Sequence, residues 1–334
     1  MGQSTPPRDT PEIGIVLVNY RSKHHIAELL AMWGAAFPVT VVDNSANSDG
    51  IKELLAATPV GHYVDGGGQG FARAANIGAL ASATPFVVFV NPDSRPTVDH
   101  ITALVEGLRH DPQALSHAAT MMRADGETEM GVGGWEPTLR RVLVYSLVLH
   151  KWFPEAGFFA RPTPGHSVTV DWTTGACMAV DMAKFRSIGG FDEMFYVYAE
   201  DMSLGRRARL AGLRQVLRAD VRVPHGAGNS GAPAKEMLQL RGASFANYML
   251  SYHPPLRAHG VLLTMSAGYL ARGIAGARRE KGSLQRHLAF VRGTTTRRAR
   301  VGGVEVAHAR LVEVSAGLPH RKSVRGLLSL GRAA

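Results

Sequence analysis

A single cysteine, Cys177, in 334 residues leaves no partner for an intramolecular disulfide, and no Cys/His set has zinc spacing. A disulfide-stapled scaffold and a zinc module are thereby excluded, and a reducing compartment is expected. No uncharged apolar run reaches the roughly 18 to 20 residues that cross a bilayer. The longest, Gly260 to Ala271, is bounded by Arg257 and Arg272. The polar stretch Met1 to Pro11 has no apolar centre, the reverse of a secretory signal, and Pro6 stands where myristoylation needs Ser or Thr. Acidic residues are scarce in one region only. Residues 1–234 hold 20 Lys and Arg against 23 Asp and Glu, whereas residues 235–334 hold 17 against 4. The net charge of +10 therefore resides in the tail, which disfavours a uniformly basic nucleic-acid-binding body. The 45% hydrophobic and 19% charged content is that of a folded globule of one large or two ordinary domains.

Two periods alternate over the first hundred residues. Ile13 to Val18 is a continuous apolar run ending in Asn19-Tyr20, followed by Ile26, Leu29, Leu30 and Trp33 at helical spacing. Val39 to Val42 ends in Asp43-Asn44-Ser45, and Ser48-Asp49 is suited to cap a helix through Ile51, Leu54 and Leu55. A strand near His62 to Val64 leads through glycines into the helical Phe71 to Leu80, and Phe86 to Val90 ends in Asn91-Pro92-Asp93. Runs apolar on both faces predict a mostly parallel α/β sheet covered by helices on both sides. In such sheets ligands lie outside the carboxyl ends of the strands, where these polar clusters fall. Thr97 to Arg109 and Asp201 to Leu210 read as helices, and Val168 to Trp172, Ala176 to Val180 and Val216 to Val223 as strands. A long basic helical region follows from about Ala234.

The densest chemistry is Gly189-Gly190-Phe191-Asp192-Glu193, then Phe195, Tyr196 and Tyr198, then Glu200-Asp201. Acidic residues opening a helix are favoured by its dipole alone. An aromatic surround would also desolvate a carboxylate and make it a better general base. Trp172 suits either a core or a sugar-stacking face. Cys177, between Ala176 and Met178, reads as an inert buried thiol. The run Gly66-Gly67-Gly68-Gln69-Gly70 lacks the third glycine of a dinucleotide fingerprint.

Taken in order, Val18-Asn19-Tyr20, Val42-Asp43-Asn44-Ser45, Gly70-Phe71-Ala72 with Asn76 and Gly78, Asn91-Pro92-Asp93, Thr174-Gly175-Ala176-Cys177-Met178, Gly189-Gly190-Phe191-Asp192 and Glu200-Asp201 resemble the family 2 glycosyltransferases of GT-A fold. The resemblance covers about residues 12–231 and is nearest to the bacterial rhamnosyltransferases, including those acting on polyprenyl-diphosphate-linked N-acetylglucosamine. It implies inverting transfer of a sugar from a nucleoside diphosphate donor, rhamnose from dTDP-rhamnose being favoured, to a lipid-linked saccharide in envelope polysaccharide assembly. A different sugar such as galactofuranose, a non-catalytic sugar-nucleotide-binding scaffold, and a nucleic-acid-binding protein using the arginine-rich tail are the alternatives.

What the resemblance implies for residues is specific. Asp201 is the catalytic base; Asn19, Tyr20, Asp43, Gly70, Phe71, Asn76 and Asp93 bind the nucleotide sugar; Trp172, Gly175 and Glu200 line the acceptor and sugar site. Asp93 and His225, within Pro224-His225-Gly226-Ala227-Gly228-Asn229-Ser230, are the metal ligands for Mn2+ or Mg2+. The sequence departs from the family where Asn91 replaces the first of two aspartates and where Gly68 stands in place of an asparagine.

The expected organisation is a flexible stretch 1–11, a catalytic domain 12–231, a basic helical extension 232–300 and a basic tail 301–334. Arg272, Arg278, Arg279, Lys281, Arg286 and Arg292 interleave with Leu262, Met265, Tyr269, Leu270 and Ile274. That composition suits residues 257–300 to an anionic membrane surface, or to packing on the catalytic domain. Arg140-Arg141 with Val142 to Phe153 forms a second candidate contact. A cytoplasmic protein on the inner face of the membrane is expected, without a nucleic-acid partner.

Overall fold

The computed structural model describes residues 11–163, 165–226, 234–277, 280 and 282–307. The expectations for residues 1–10, for Ala227 to Ser230, for Arg278, Arg279 and Lys281, and for residues 308–334 lie outside the described residues. In chain order the elements are β1 (Ile13–Asn19), α1 (Lys23–Trp33), β2 (Val39–Asp43), α2 (Ile51–Ala56), β3 (Gly61–Asp65), α3 (Phe71–Ser82), β4 (Phe86–Val90), α4 (Val98–Arg109), β5 (Ala114–Met122) and β6 (Gly133–Gly134). They continue with α5 (Leu139–Ser146), β7 (Val168–Val170), β8 (Trp172–Thr173), β9 (Cys177–Asp181), α6 (Met182–Ser187), α7 (Glu200–Leu210), β10 (Arg214–Pro224), α8 (Ala234–Tyr252), α9 (Pro255–Ala277), α10 (Ser283–Thr296), β11 (Arg300–Val301) and β12 (Val304–Glu305).

Eight strands form one sheet in the order β3-β2-β1-β4-β9-β5-β10-β7. The pairs β1–β2, β1–β4, β2–β3 and β5–β10 are parallel. β9 runs antiparallel between β4 and β5, and β7 antiparallel along β10. This is the expected mostly parallel α/β sheet with helices on both faces. Its apolar runs are buried as their composition requires: Ile15, Val16 and Leu17 of β1 and Val87 to Val90 of β4 are enclosed. Each such aliphatic side chain stabilises the fold by about 1.5 to 3 kcal/mol. The spaced Ile26, Leu29, Leu30 and Trp33 form the buried face of α1.

One local expectation is corrected and one strand is added. Ser48-Asp49 does not cap α2; its N-cap is Gly50 in the left-handed region, without a side-chain bond. The Asp49 carboxylate instead accepts from the backbone N–H of Lys23 at 3.0 Å, tying α1 to the loop after β2. β5 is a wholly buried strand that Ala-Leu-Ser-His-Ala-Ala-Thr-Met-Met does not announce, since alanine and methionine carry little strand preference.

The basic extension packs on the body. Phe245, Tyr248 and Met249 of α8, Val261 and Met265 of α9 and Phe290 of α10 share one apolar cluster with Phe158, Trp172, Phe195 and Met202. Residues 300–305 form the β11–β12 hairpin, and Val306 and Ala307 bury against Leu240 and Ala243, so the first part of the expected tail is packed structure.

Candidate active site

At the ends of β1 and β2, Asn19 and Asp43 are fully enclosed and bonded to each other, the Asn19 amide donating to Asp43 Oδ1 at 2.9 Å. Asp43 also accepts from the Ser45 hydroxyl at 2.7 Å and from the backbone N–H groups of Ser45 at 2.9 Å and Asn47 at 2.5 Å. Burial raises the proton affinity of this carboxyl, but these donors outweigh it and hold the group below its ordinary value. Asp43 therefore fixes the loop 44–47 from beneath. Tyr20 is half-buried, with the guanidinium of Arg21 5.6 Å from its ring centre.

The glycine loop meets the segment that leads to the acid pair. Gly70 has φ +87°, and a Cβ there would run into the Tyr196 carbonyl. That close approach lets the Phe71 N–H donate to the Tyr196 carbonyl at 2.7 Å, while the Asn44 amide donates to the Gly70 carbonyl at 3.0 Å. Gly175 abuts the Phe71 ring, where a Cβ would lie 2.9 Å away. Asn76 has its amide committed elsewhere: it accepts from the Phe191 N–H at 2.8 Å and donates to the Phe191 carbonyl at 2.9 Å and to Glu193 at 3.2 Å. It clamps the Gly-Gly-Phe-Asp turn onto α3.

Beyond β4, Asp93 meets the end of β10. His225 Nε2 lies 3.3 Å from Asp93 Oδ1, and Nδ1 lies 2.6 Å from Glu129 Oε2. Backbone bonds from Gly226 to Asp93 and from Arg95 to Pro224, both 2.9 Å, lock the two segments together. Burial lowers the imidazole's proton affinity, but the carboxylates of Asp93 and Glu129 raise it further, to about 9. Asp93 in turn is held below its ordinary value by His225 despite burial.

These residues fit a divalent cation. Among the described residues His225 Nε2 is buried and faces Asp93 Oδ1 without hydrogen-bond geometry between them, and Glu129 on the other ring nitrogen is the outer carboxylate that commonly orients a metal-bound histidine. Among the described residues no group of three or more His, Cys, Asp or Glu forms a ready cage. A site with two protein ligands is of the kind that completes itself with substrate phosphates. Glu129 carried no sequence signal, because it follows the unannounced β5.

The acid pair opens α7. Tyr198 and Ala199, with φ of 70° and 68°, are both left-handed, a conformation that costs roughly 1–2 kcal/mol per non-glycine residue. The surroundings hold it: Ser244 donates to the Val197 carbonyl at 2.9 Å, and Arg241 lies 4.7 Å over the Tyr198 ring. Asp201 is half-buried, and its Oδ1 accepts from the Met202 N–H at 2.7 Å. Burial raises the Asp201 carboxyl to about 6, against the pull of the Met202 N–H and Arg241. Glu200 is buried with Oε2 unpartnered, and burial together with the neighbouring Asp201 charge raises it well above the usual range.

Trp172 resolves as a core residue. It is 4% exposed, donates from Nε1 to the Trp135 carbonyl at 3.1 Å and packs on Phe158 and Phe159, so no ring face is open for sugar stacking. Cys177 is buried in apolar surroundings that push its thiol up to about 12, and it is inert as expected. The sequence also gave no hint of Glu136, held at about 2. Its burial is outweighed by bonds from His253 and Tyr248, each 2.8 Å, and by Arg209, joining α7 to α8.

Known proteins resemble this chain in sequence and in fold. Residues 15–172 match the family described as Glycosyl transferase family 2. The chain is 26% identical over 203 residues to the low-salt glycan biosynthesis hexosyltransferase Agl10 of Haloferax volcanii, a match spanning 59% of this chain and 62% of that protein. It is also 26% identical over 236 residues to the N-acetylglucosaminyl-diphospho-decaprenol L-rhamnosyltransferase of Mycobacterium tuberculosis, spanning 65% of this chain and 76% of that protein. Among solved structures, the mannosyltransferase PcManGT of Pyrobaculum calidifontis, in complex with GDP-Man and Mn2+, superposes with a TM-score of 0.54 at 16% identity. The match covers 87% of this chain and 88% of that one, and the shared fold is GT-A.

Proposed function

Since the chain carries a glycosyl transferase family 2 domain, we propose that it moves rhamnose from dTDP-rhamnose onto a lipid-linked saccharide, with inversion, in envelope polysaccharide assembly. The observation that carries this reading is Asp201: a half-buried carboxylate with one oxygen fixed by the Met202 N–H and its proton affinity set near 6. A base of that strength is deprotonated at neutral pH yet strong enough to take a proton from an acceptor hydroxyl as it attacks.

In the proposed transfer the acceptor oxygen bonds to the anomeric carbon as the bond from that carbon to the diphosphate oxygen breaks. The acceptor proton passes to Asp201, and the nucleoside diphosphate departs. Glu200 retains the proton of the coupled pair and donates through it to the acceptor, leaving Asp201 as the charged member. The nucleotide lies across the ends of β1, β2 and β4, where Tyr20 and the loop shaped by Asn19 and Asp43 bound it, and Gly70 and Phe71 close the side towards α7. Gly175 and Glu200 bound the sugar. Asp93 and His225 would hold Mn2+ or Mg2+, which supplies neutralisation of the departing diphosphate.

The catalytic body is assigned to residues 12–231 and the helical extension to 232–300, with the extension facing the cytoplasmic side of the membrane. Its support is exposed apolar side chains: Leu256 and Leu263 of α9 are 89% and 73% exposed, and, outside the extension, Trp152 and Phe153 are 71% and 63% exposed. No helix of the described residues is long and apolar enough to cross a membrane. An interfacial contact with anionic lipid fits such a surface. The reading is tested by thermal-shift screening against nucleotide sugars with and without Mn2+ or Mg2+. Stabilisation by dTDP-rhamnose that requires the metal is expected, and indifference to every nucleotide sugar at millimolar concentration would refute it.

A further inference from the structure

Two arginines of the C-terminal helices stack on tyrosine rings. Arg272, on α9, is sandwiched by two rings, its guanidinium carbon 4.7 Å from the centre of Tyr145 and 4.8 Å from that of Tyr269. Its Nη2 is buried and has no hydrogen-bond partner among the described residues. The same Tyr145 ring lies 5.3 Å from His150, a buried histidine whose Nδ1 is also unpartnered. Arg241, on α8, is solvent-exposed and lies over Tyr198, three residues before Asp201. Its charge is felt by Asp201 and by the phenols of Tyr145 and Tyr269, the two rings on which Arg272 stacks.

The sequence supplies no internal counter-ion from the segments that carry these groups. No Asp or Glu occurs between Glu136 and Glu155, nor between Glu236 and Glu280. A buried donor left without an acceptor costs about 1–3 kcal/mol, and more when charged. Stacking on two tyrosines holds a guanidinium by its faces, leaving Nη2 of Arg272 without a partner among the described residues, and a guanidinium edge matches the paired oxygens of a phosphate. A lysine stem could not be held in this way.

We infer that Arg241 and Arg272 form an anion subsite beside Asp201 that takes the phosphate or diphosphate group of the acceptor. This rests on the reading of Asp201 as the acceptor's base, and it separates two charges in one enzyme. The donor diphosphate belongs to the Asp93–His225 side, and the acceptor diphosphate to the α8–α9 side. An acceptor anchored by its phosphates presents its terminal sugar to the carboxylate rather than its lipid, so the subsite would govern acceptor affinity more than the chemical step.

The test is calorimetric binding to the full chain, in EDTA and without nucleotide, of geranyl diphosphate, inorganic pyrophosphate and geraniol. Geranyl diphosphate should bind, and Arg272→Gln and Arg241→Gln should each weaken it at least tenfold, with dTDP binding in Mn2+ unchanged. Pyrophosphate weakened by the same factor would identify the phosphates as the recognised group; pyrophosphate that does not bind while the prenyl form does would assign part of the affinity to the lipid. Because Arg241 is exposed, its variant does not depend on the packing of Arg272. Equal binding by both variants and wild type, no binding of either anion, or geraniol binding as tightly as its diphosphate would overturn the subsite. A chain that binds geranyl diphosphate through these arginines but no nucleotide sugar would keep the subsite and refute the transfer reaction. The converse result would do the opposite.

Discussion

His225 Nε2 faces Asp93 Oδ1 at 3.3 Å, bringing together two side chains from opposite halves of the sequence, while Glu129 grips the far side of the same imidazole. Glu129 touches no ligand in this arrangement; it orients the ring. Glu129→Gln should therefore raise the Mn2+ concentration for half-maximal turnover by about 10- to 100-fold while saturating metal restores the rate. His225→Ala should not be restored. Metal titrations of turnover and of thermal stability check both, and an unchanged requirement in Glu129→Gln would break the assignment.

Asp201→Asn keeps the size of the side chain and removes its basicity. Turnover should fall by about 10²- to 10⁴-fold, the usual worth of a positioned base. Affinity for the donor's nucleotide, measured by calorimetry, should stay at the wild-type value, because the nucleotide's proposed contacts lie on other elements. A variant that keeps its rate would remove Asp201 as the base, and a wild-type chain that binds donor without turnover would belong to the class of sugar-nucleotide-binding scaffolds.

The pH profile has a definite sign. A base works deprotonated, and the Asp201 carboxyl is raised to about 6. kcat/KM should be flat above that value and fall about tenfold per pH unit below it, whereas an ordinary aspartate would hold its rate to about pH 4. Arg241 draws this carboxyl down, so Arg241→Gln should move the acid limb to higher pH. A limb near pH 4 in wild type, or one that Arg241→Gln leaves in place, contradicts the assignment.

Glu136 makes a stability prediction. Its carboxyl, 16% exposed, is drawn from 4.5 to about 2, and a depression of that size corresponds to on the order of 3 kcal/mol of stability at neutral pH. Because the folded value is the lower one, the contribution is complete above 4.5 and is lost as pH falls from 4.5 towards 2. Glu136→Gln should lower stability by that order in denaturant unfolding at pH 7 and by much less near pH 2. An equal loss at both values would show that shape, not charge, is what the network needs.

Much of the nucleotide side was legible because continuous apolar runs of strand length end in polar clusters, and the parallel sheet then brings those ends to one rim. Asp93 and His225 could be paired from family resemblance alone, since nothing local in Asn91-Pro92-Asp93 points to a residue on β10. Trp172 could not be placed: whether an indole stacks on sugar or fills a core depends on Phe158, Phe159 and Phe245, residues distant in sequence. β5 was hidden by its composition, and Glu129 with it. Asn76 is instructive in another way. It stands at a position the family pattern marks, yet its amide is spent on both backbone groups of Phe191, a clamp that only three-dimensional contact reveals.

The reversed direction of β9 has a consequence for how such enzymes can diversify. β5 delivers the chain to the ligand-facing rim at Met122, and β9, running the other way, collects it from that rim at Cys177, opposite Val90. The chain from Arg123 to Ala176, including α5, is thus an excursion that leaves and rejoins the sheet at one rim and returns to it in between only where β7 lies along β10. The part of this excursion from Leu147 to Ala156, clear of Glu129, Glu136 and β7, can be lengthened, shortened or exchanged without altering a strand register, so new acceptors can be accommodated there while the donor half stays as it is.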